Sequence, residues 1–311
     1  MTWRIDDGKP RGKIGMRVGV ILPMGDDAPG QGVPRRYAEI KAYALAAEAA
    51  GLDTVWVFDH LLADTIEAAE DSPWEAWSVL SGLAEATERV RLGTLVMCTS
   101  FRHAGLLARM ADTVQEMSGD RLVLGIGAGW HQPEYTAFGL PFDARVDGFA
   151  EAAAVLTGML RDGRATVDGS QHSVIDAPVR ERPDRVAPEI LIAAAKPRML
   201  RLTALYADSW NLAWFGLPGP RFREASRALD AACESVGRDP ASLARTAGIQ
   251  LGAGSSEQGD ELRLVRGDAN RLADALAAWQ AEGVAEVVVL ASPSNAATLD
   301  LVAEATRRFR G

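Results

Sequence analysis

The chain has 311 residues, 48% of them hydrophobic and 24% charged, with a formal net charge of −9. That is apolar material for a large buried core, and the wrong sign for nucleic acid or an anionic membrane as partner. Only two cysteines, Cys98 and Cys233, occur, which excludes a disulfide framework and points to a reducing, cytoplasmic setting. No run approaches the about 18 apolar residues of a membrane span, and Met1–Gly15 has no apolar signal-peptide core. It reads as a loosely attached extension before a single domain over 16–311.

Met16–Leu22 is the first strand, stopped by Pro23. The helix Tyr37–Ala50 follows, with Gly51 where a left-handed cap is expected. Thr54–Phe58 is a continuous apolar strand that delivers Asp59 and His60. A polar loop, Leu62–Ser72, leads to a helix over Pro73–Thr87 with proline in its first turn. Arg91–Val96 is the third strand, running on through Met97 to Arg102, and the helix Leu106–Met117 ends before Gly119. The fourth strand, Leu122–Ile126, breaks into the alternate glycines Gly125, Gly127 and Gly129, then Trp130 and His131. Glycine at the end of a buried strand lets a ligand approach the backbone; the alternative is a tight turn with no ligand.

Arg145–Leu160 is a helix, and Gly163–Pro188 reads as a small hairpin and inserted loop. Strand and helix then alternate three more times: Glu189–Ala193 with Pro197–Tyr206, Asp208–Ala213 with Pro220–Val236, and Thr246–Gly252 with Asn270–Glu282. A weakly patterned loop, Gly254–Gly267, lies inside the last of these pairs. Val287–Ala291 and Ala296–Arg310 close the chain. The strands are continuously apolar, as in parallel sheets buried on both faces. Eight such units predict an α/β fold, a (β/α)8 TIM barrel. The rival is a doubly wound open sheet, but its dinucleotide fingerprint fails here because the third glycine falls on Trp130.

Barrel active sites lie at the C-terminal strand ends. Those ends collect Asp59 and His60, Met97 to Arg102, Gly127 to His131, Ala194 to Arg198, and Trp210 to Trp214. No His, Asp and Glu cluster has metal-ligand spacing. His60 either moves a proton or caps the rim, and Asp59 either orients it or caps the loop. Ala194, Ala195 and Lys196 open a helix and, with Arg198, form either an anion site suited to phosphate or an ordinary solvated helix start. Trp130, Trp210 and Trp214 offer flat apolar surface, with Trp210 read as core. His131 is either a second polar group on a cofactor or an exposed loop histidine. Cys98 stands at the strand-3 exit with nothing near it to activate a thiolate.

Four stretches together resemble the bacterial-luciferase-like superfamily: 54–60 (Thr-Val-Trp-Val-Phe-Asp-His), 92–102 beginning Leu-Gly-Thr-Leu, 120–130 ending Gly-Ala-Gly-Trp, and 206–211 (Tyr-Ala-Asp-Ser-Trp-Asn). The likeness covers about Met16 to Gly311 and is nearest to the compact branch of coenzyme F420-dependent oxidoreductases. It implies a phosphorylated deazaflavin or flavin at the strand ends, with His60 near the ring edge and Asp59 as its acidic neighbour. It also implies a non-prolyl cis peptide near Leu95-Val96 under one face of the ring. Cys98 and Thr99 fall on cofactor-contacting positions, and Ala128, Gly129 and Trp130 on the loop touching the cofactor tail; Gly127 and His131, beside them at the strand-4 end, are cofactor candidates by position. Ala194, Ala195 and Lys196 replace the family's glycine run. Trp130 stands where sugar-phosphate dehydrogenase relatives carry a glutamate acid.

The resemblance leads to hydride transfer between coenzyme F420 and a small-molecule substrate. Its alternative is an FMN-dependent monooxygenase that uses oxygen and a separate reductase. A third reading is a barrel that only binds flavin or a partner, with Lys196 filling the phosphate space. The resemblance further implies a homodimer.

Overall fold

The computed structural model describes residues 15–25, 35–62, 72–252 and 262–311. Most of the predicted extension Met1–Gly15, and much of the predicted loops Leu62–Ser72 and Gly254–Gly267, lie outside the described residues. In chain order the strands are β1 (Arg17–Ile21), β2 (Thr54–Val57), β3 (Arg91–Thr94), β4 (Met97–Cys98), β5 (Leu122–Gly127), β6 (Arg164–Val167), β7 (Val174–Pro178), β8 (Glu189–Ala193), β9 (Ser209–Phe215), β10 (Ala244–Gly252), β11 (Val265–Arg266) and β12 (Glu286–Ser292). The helices are α1 (Tyr37–Ala49), α2 (Ala76–Ala86), α3 (Ala104–Met117), α4 (Gln132–Ala137), α5 (Arg145–Asp162), α6 (Pro197–Tyr206), α7 (Pro220–Ser235), α8 (Ala269–Ala281) and α9 (Ala296–Arg310).

Parallel pairing runs β12–β1–β2–β3–β5–β8–β9–β10, and β10 pairs back onto β12 from Thr246↔Glu286 to Gly252↔Ser292. The sheet therefore closes on itself as the predicted (β/α)8 barrel. The insertion after α5 is the antiparallel hairpin β6–β7. The short helix α4 was not evident from the sequence; His131 precedes it and proline stands in its first turn. Local chemistry ends the helices as expected: Gly51 takes φ +80° after α1, and the Asp268 carboxylate accepts from Asn270 and Arg271 N–H at the start of α8.

The barrel interior is layered. A band of Ile21, Trp56, Val123, Leu191 and Val288 is buried at mid-height. Trp56 fills it because its neighbours are glycines: a Cβ at Gly93 would lie 2.2 Å from the indole, and one at Gly19 2.5 Å from it. The floor, at the N-terminal strand ends, is ionic. Glu286 accepts from Arg17 Nε at 2.9 Å and from Trp56 Nε1 at 3.1 Å. Glu189 accepts from Arg91 at 2.5 Å and from Ser209 Oγ at 2.7 Å.

The predicted third strand, Arg91–Val96, is not continuous. Pairing with β5 is Gly93↔Val123 in β3 but Met97↔Ile126 in β4, so one extra residue is accommodated between them. The Leu95–Val96 peptide there is cis, as the family resemblance implied. A second irregularity was not foreseen. The Ala213–Trp214 peptide is also cis, and β10 shifts register against β9 between Ala247 and Ile249.

Here the glycine pattern finds a different explanation from the expected ligand approach. A Cβ on Gly125 would sit 1.8 Å from the Thr94 carbonyl oxygen, and one on Gly127 2.7 Å from Val96 Cγ2. On the far side a Cβ on Gly248 would meet Ala213 Cβ at 2.6 Å and the Trp214 ring at 2.8 Å. These glycines make room for the irregular neighbouring strand. Gly125→Ala is expected to cost about 1–3 kcal/mol by overpacking, read as a lower urea midpoint at unchanged slope. Gly25→Ala, whose nearest contact would be at 3.9 Å, is expected to leave the midpoint in place.

Candidate active site

The C-terminal strand ends enclose one cavity of about 1120 Å³. Its floor is the top of the interior stack: Leu95, Val96, Trp214 and Leu290 border the cavity and pack on the buried band beneath. The two irregular strand segments thus supply opposite parts of one apolar platform.

His60, delivered by the end of β2, borders the cavity and is held from behind. Its Nδ1 lies 3.1 Å from Glu134 Oε1, and the same oxygen accepts the Leu61 N–H at 2.6 Å and the Leu62 N–H at 3.2 Å. Glu134 comes from α4 and its side chain is 3% exposed. Burial alone pushes its carboxyl up, but the hydrogen bonds and charge of His60 and the two backbone donors outweigh it and hold the group below the usual range. An ionised Glu134 accepts only, so His60 Nδ1 carries the proton that faces it and Nε2 is the nitrogen that can exchange a proton.

Asp59 does a different job from the one its position suggested. Its buried carboxylate takes both ends of the Arg102 guanidinium, at 2.7 and 3.0 Å, and the Cys98 N–H at 3.0 Å. Burial pushes its carboxyl up, against the lowering effect of Arg102. Arg102 also pairs with Glu75. Asp59 therefore ties the end of β2 to the end of β4 and fixes where His60 starts. The acid found on His60 is Glu134.

Cys98 borders the cavity, yet its thiol is 3.2 Å from the Tyr135 hydroxyl and burial pushes it up to about 11. It is an inert wall group. Thr99 is buried, with its hydroxyl on the Gly127 carbonyl at 3.3 Å, and is not among the residues bordering the cavity. His131 is likewise set back, its ring 5.1 Å from Trp130 and 6.2 Å from His60. Gly127, Ala128, Gly129 and Trp130 do border it, as do Ala194, Ala195 and Lys196. Trp130 is 62% exposed and meets His60 edge-on at 5.7 Å. Trp210 is core, its indole N–H on the Ala194 carbonyl at 2.8 Å.

Four cations border one side of the cavity: Arg145, Lys196, Arg198 and Arg221. Arg145 donates to the Phe142 carbonyl at 3.0 Å and Arg221 to the Ala213 and Trp214 carbonyls at 2.7 and 3.0 Å, which pins both. Arg198 pairs with Asp147. Lys196 is exposed at the rim; it borders the cavity without filling it. Sequence reasoning passed over Glu134, Arg145 and Arg221. An acid in the loop after a glycine-rich strand was the one signal that could have suggested Glu134.

Glu134→Gln is expected to destabilise the fold by about 1.5–3 kcal/mol at neutral pH through loss of charge-assisted bonds. Because the folded carboxyl lies below its ordinary 4.5, that contribution is fully present above about 4.5 and fades as pH falls through the folded value. Melting temperatures of variant and parent should therefore converge in acid.

Fold and cavity define the class: a (β/α)8 barrel with a cavity of about 1120 Å³ at the strand ends, where barrel enzymes carry out their chemistry. The family is set by sequence, since residues 16–279 match the model for luciferase-like monooxygenases, and the chain belongs to that family. It spans about half the length of curated relatives such as the F420-dependent glucose-6-phosphate dehydrogenase of Beutenbergia cavernae, with 33% identity over 184 residues, 55% of this chain and 51% of that enzyme. The phthiodiolone/phenolphthiodiolone dimycocerosates ketoreductase of Mycobacterium tuberculosis is 31% identical over 267 residues, covering 77% of this chain and 68% of the relative. Among solved structures, an F420-dependent secondary alcohol dehydrogenase superposes with a TM-score of 0.78 at 17% identity, covering 96% of this chain and all of that one (100%). The EDTA monooxygenase of Chelativorans sp. superposes at 0.77 and 15% identity, covering 94% of each chain. At those identities the structures share the fold.

Proposed function

We propose that the chain is an oxidoreductase that uses coenzyme F420 for hydride transfer to or from a small organic substrate. The observation that carries this reading is His60, backed by buried Glu134, on the wall of a cavity with an apolar floor and a cationic side. The residues fit the group. Leu95, Val96 and Trp214 would carry the flat ring system, and Lys196 with the neighbouring arginines would take the anionic tail. The two curated relatives' names support it: one is an F420-dependent dehydrogenase and the other a ketoreductase.

When bound, the cofactor supplies the carbon that accepts or returns the hydride. The protein does the rest. Leu95, Val96, Trp214 and Leu290 would support the ring system, and Trp130, edge-on to His60, would screen the His60 side. Glu134 fixes the His60 tautomer, and Nε2 takes up or returns the substrate proton. Asp59 and Arg102 are positioning residues, since they hold the strand ends on which His60 and the platform sit.

The second reading keeps the site and replaces the cofactor with FMN, fed by a separate reductase; the monooxygenase fold neighbour supports it. Fluorescence titration with coenzyme F420 and with FMN decides between them. The hydride reading expects tighter F420 binding and no oxygen uptake. Tighter FMN binding, with oxygen consumed when reduced FMN is supplied, would favour the monooxygenase. Binding of neither would return the barrel to a non-catalytic role. Lys196→Ala is expected to weaken F420 about two- to fivefold at low salt, as befits an exposed ion pair, and less as salt is raised.

A further inference from the structure

We infer that the substrate is a neutral, largely apolar alcohol or ketone, and that anionic substrates, sugar phosphates included, are excluded from the site. This deepens the proposed function and rests on it for the cofactor's share of the cavity. The ground is the charge asymmetry of the barrel mouth. All four Lys and Arg residues that border the cavity lie on elements that follow β5, β8 and β9, which are consecutive in the barrel. The opposite arc, at the ends of β12, β1, β2 and β4, presents Leu290, Phe58, Leu62, Pro73 and Phe101, with Asp59 as its one carboxylate, held by Arg102; on the cationic side Asp143 is the carboxylate beside Arg145. Among the described residues bordering that arc, His60 is the one basic group. Arg102, the nearby arginine of the chain, is spent on Asp59 and Glu75.

An anionic cofactor tail that takes the cationic arc leaves a substrate anion facing apolar walls. Burying such an anion unpaired is costly enough to exclude it. A neutral chain gains instead, by up to about fourfold in affinity for each methylene it buries. A cavity of about 1120 Å³ also exceeds the roughly 300–1,000 Å³ of ordinary ligand pockets, leaving room for a second molecule beside the cofactor. In the oxidative direction a bound deazaflavin would supply the acceptor for the carbinol hydride, and His60 would take the hydroxyl proton as the C–O bond becomes the carbonyl.

The test uses a matched pair, 2-decanone and 9-oxodecanoate, which differ in a terminal methyl against a carboxylate. Both are titrated into the full chain by tryptophan fluorescence, with and without coenzyme F420. The neutral ketone is expected to bind at least about tenfold more tightly. Leu62→Lys, which places a cation in the apolar arc, is expected to cut that preference to about twofold or reverse it. Equal or tighter binding of the carboxylate to the F420-loaded parent protein, or no binding of the ketone up to its solubility limit, overturns the inference. F420 affinity is read separately from its own fluorescence. Preference for the ketone without F420 binding would refute the cofactor reading and leave the apolar pocket standing.

Discussion

His60→Ala is expected, on the proposed function, to lower turnover with coenzyme F420 by about 10²–10⁴ while leaving cofactor affinity within about twofold, the range expected for loss of a general acid–base. The separation of the two readouts follows from geometry. His60 stands on the wall at the end of β2, whereas the apolar floor and the cationic side are built by other strands. Removing the imidazole takes away the group that accepts the substrate proton and leaves the ring platform intact. Glu134 sharpens the test. With the negative charge behind Nδ1 removed, Glu134→Gln should move the pH profile of kcat while retaining much of the rate, because an amide oxygen can still accept from Nδ1 but the tautomer is no longer held by a charge. Unchanged turnover in His60→Ala, with the barrel folded and F420 bound, would remove the histidine from the chemistry.

The second large effect lies at the opposite end of the barrel and concerns stability. Glu286→Ala is expected to cost about 3–5 kcal/mol, as does breaking a buried ion pair from one side. The Glu286 side chain is 2% exposed and receives Arg17 Nε at 2.9 Å, Arg91 at 3.4 Å and the Trp56 indole at 3.1 Å. Its loss strands the Arg17 guanidinium and the Trp56 indole donor and leaves Arg91 with Glu189 alone, beneath the residue that fills the barrel. For a chain of 311 residues that penalty is a fall in Tm of about 5–8 °C. Glu286→Gln, which keeps an acceptor for the indole, should fall less. F420 affinity of the folded fraction should not change, since Glu286, Arg17 and Arg91, at the N-terminal strand ends, do not border the cavity. A Tm within about 1 °C of the parent would show that the network is worth no more than surface pairs.

Both predictions rest on residues that the sequence marks unequally. His60 was visible because a continuous apolar strand, Thr54–Phe58, ends just before it, and strand ends are where barrels place chemistry. Glu134 was not, because it lies 74 residues away on a short helix whose single turn and a half carries no apolar period. Asp59 shows the limit from the other side. Adjacency to His60 suggested that it orients the ring, yet neighbouring residues on extended chain point apart, and its carboxylate faces Arg102.

The glycines divide in the same way. Their spacing after Leu122–Ile126 flagged an unusual backbone, and the resemblance placed a cis peptide at Leu95–Val96, which is present. That Gly125 and Gly127 make room for Thr94 and Val96, and Gly248 for Ala213 and Trp214, depends on which strand lies alongside and in what register. Eight apolar strands followed by helices, the acidic balance and the position of His60 are local or summed properties, and the sequence by itself determined them. The partner of His60, the duty of Asp59, the second irregular strand and the gathering of four cations on one side of the mouth join residues far apart in the chain. Only barrel closure, which sets strand order and register, decides which of them meet.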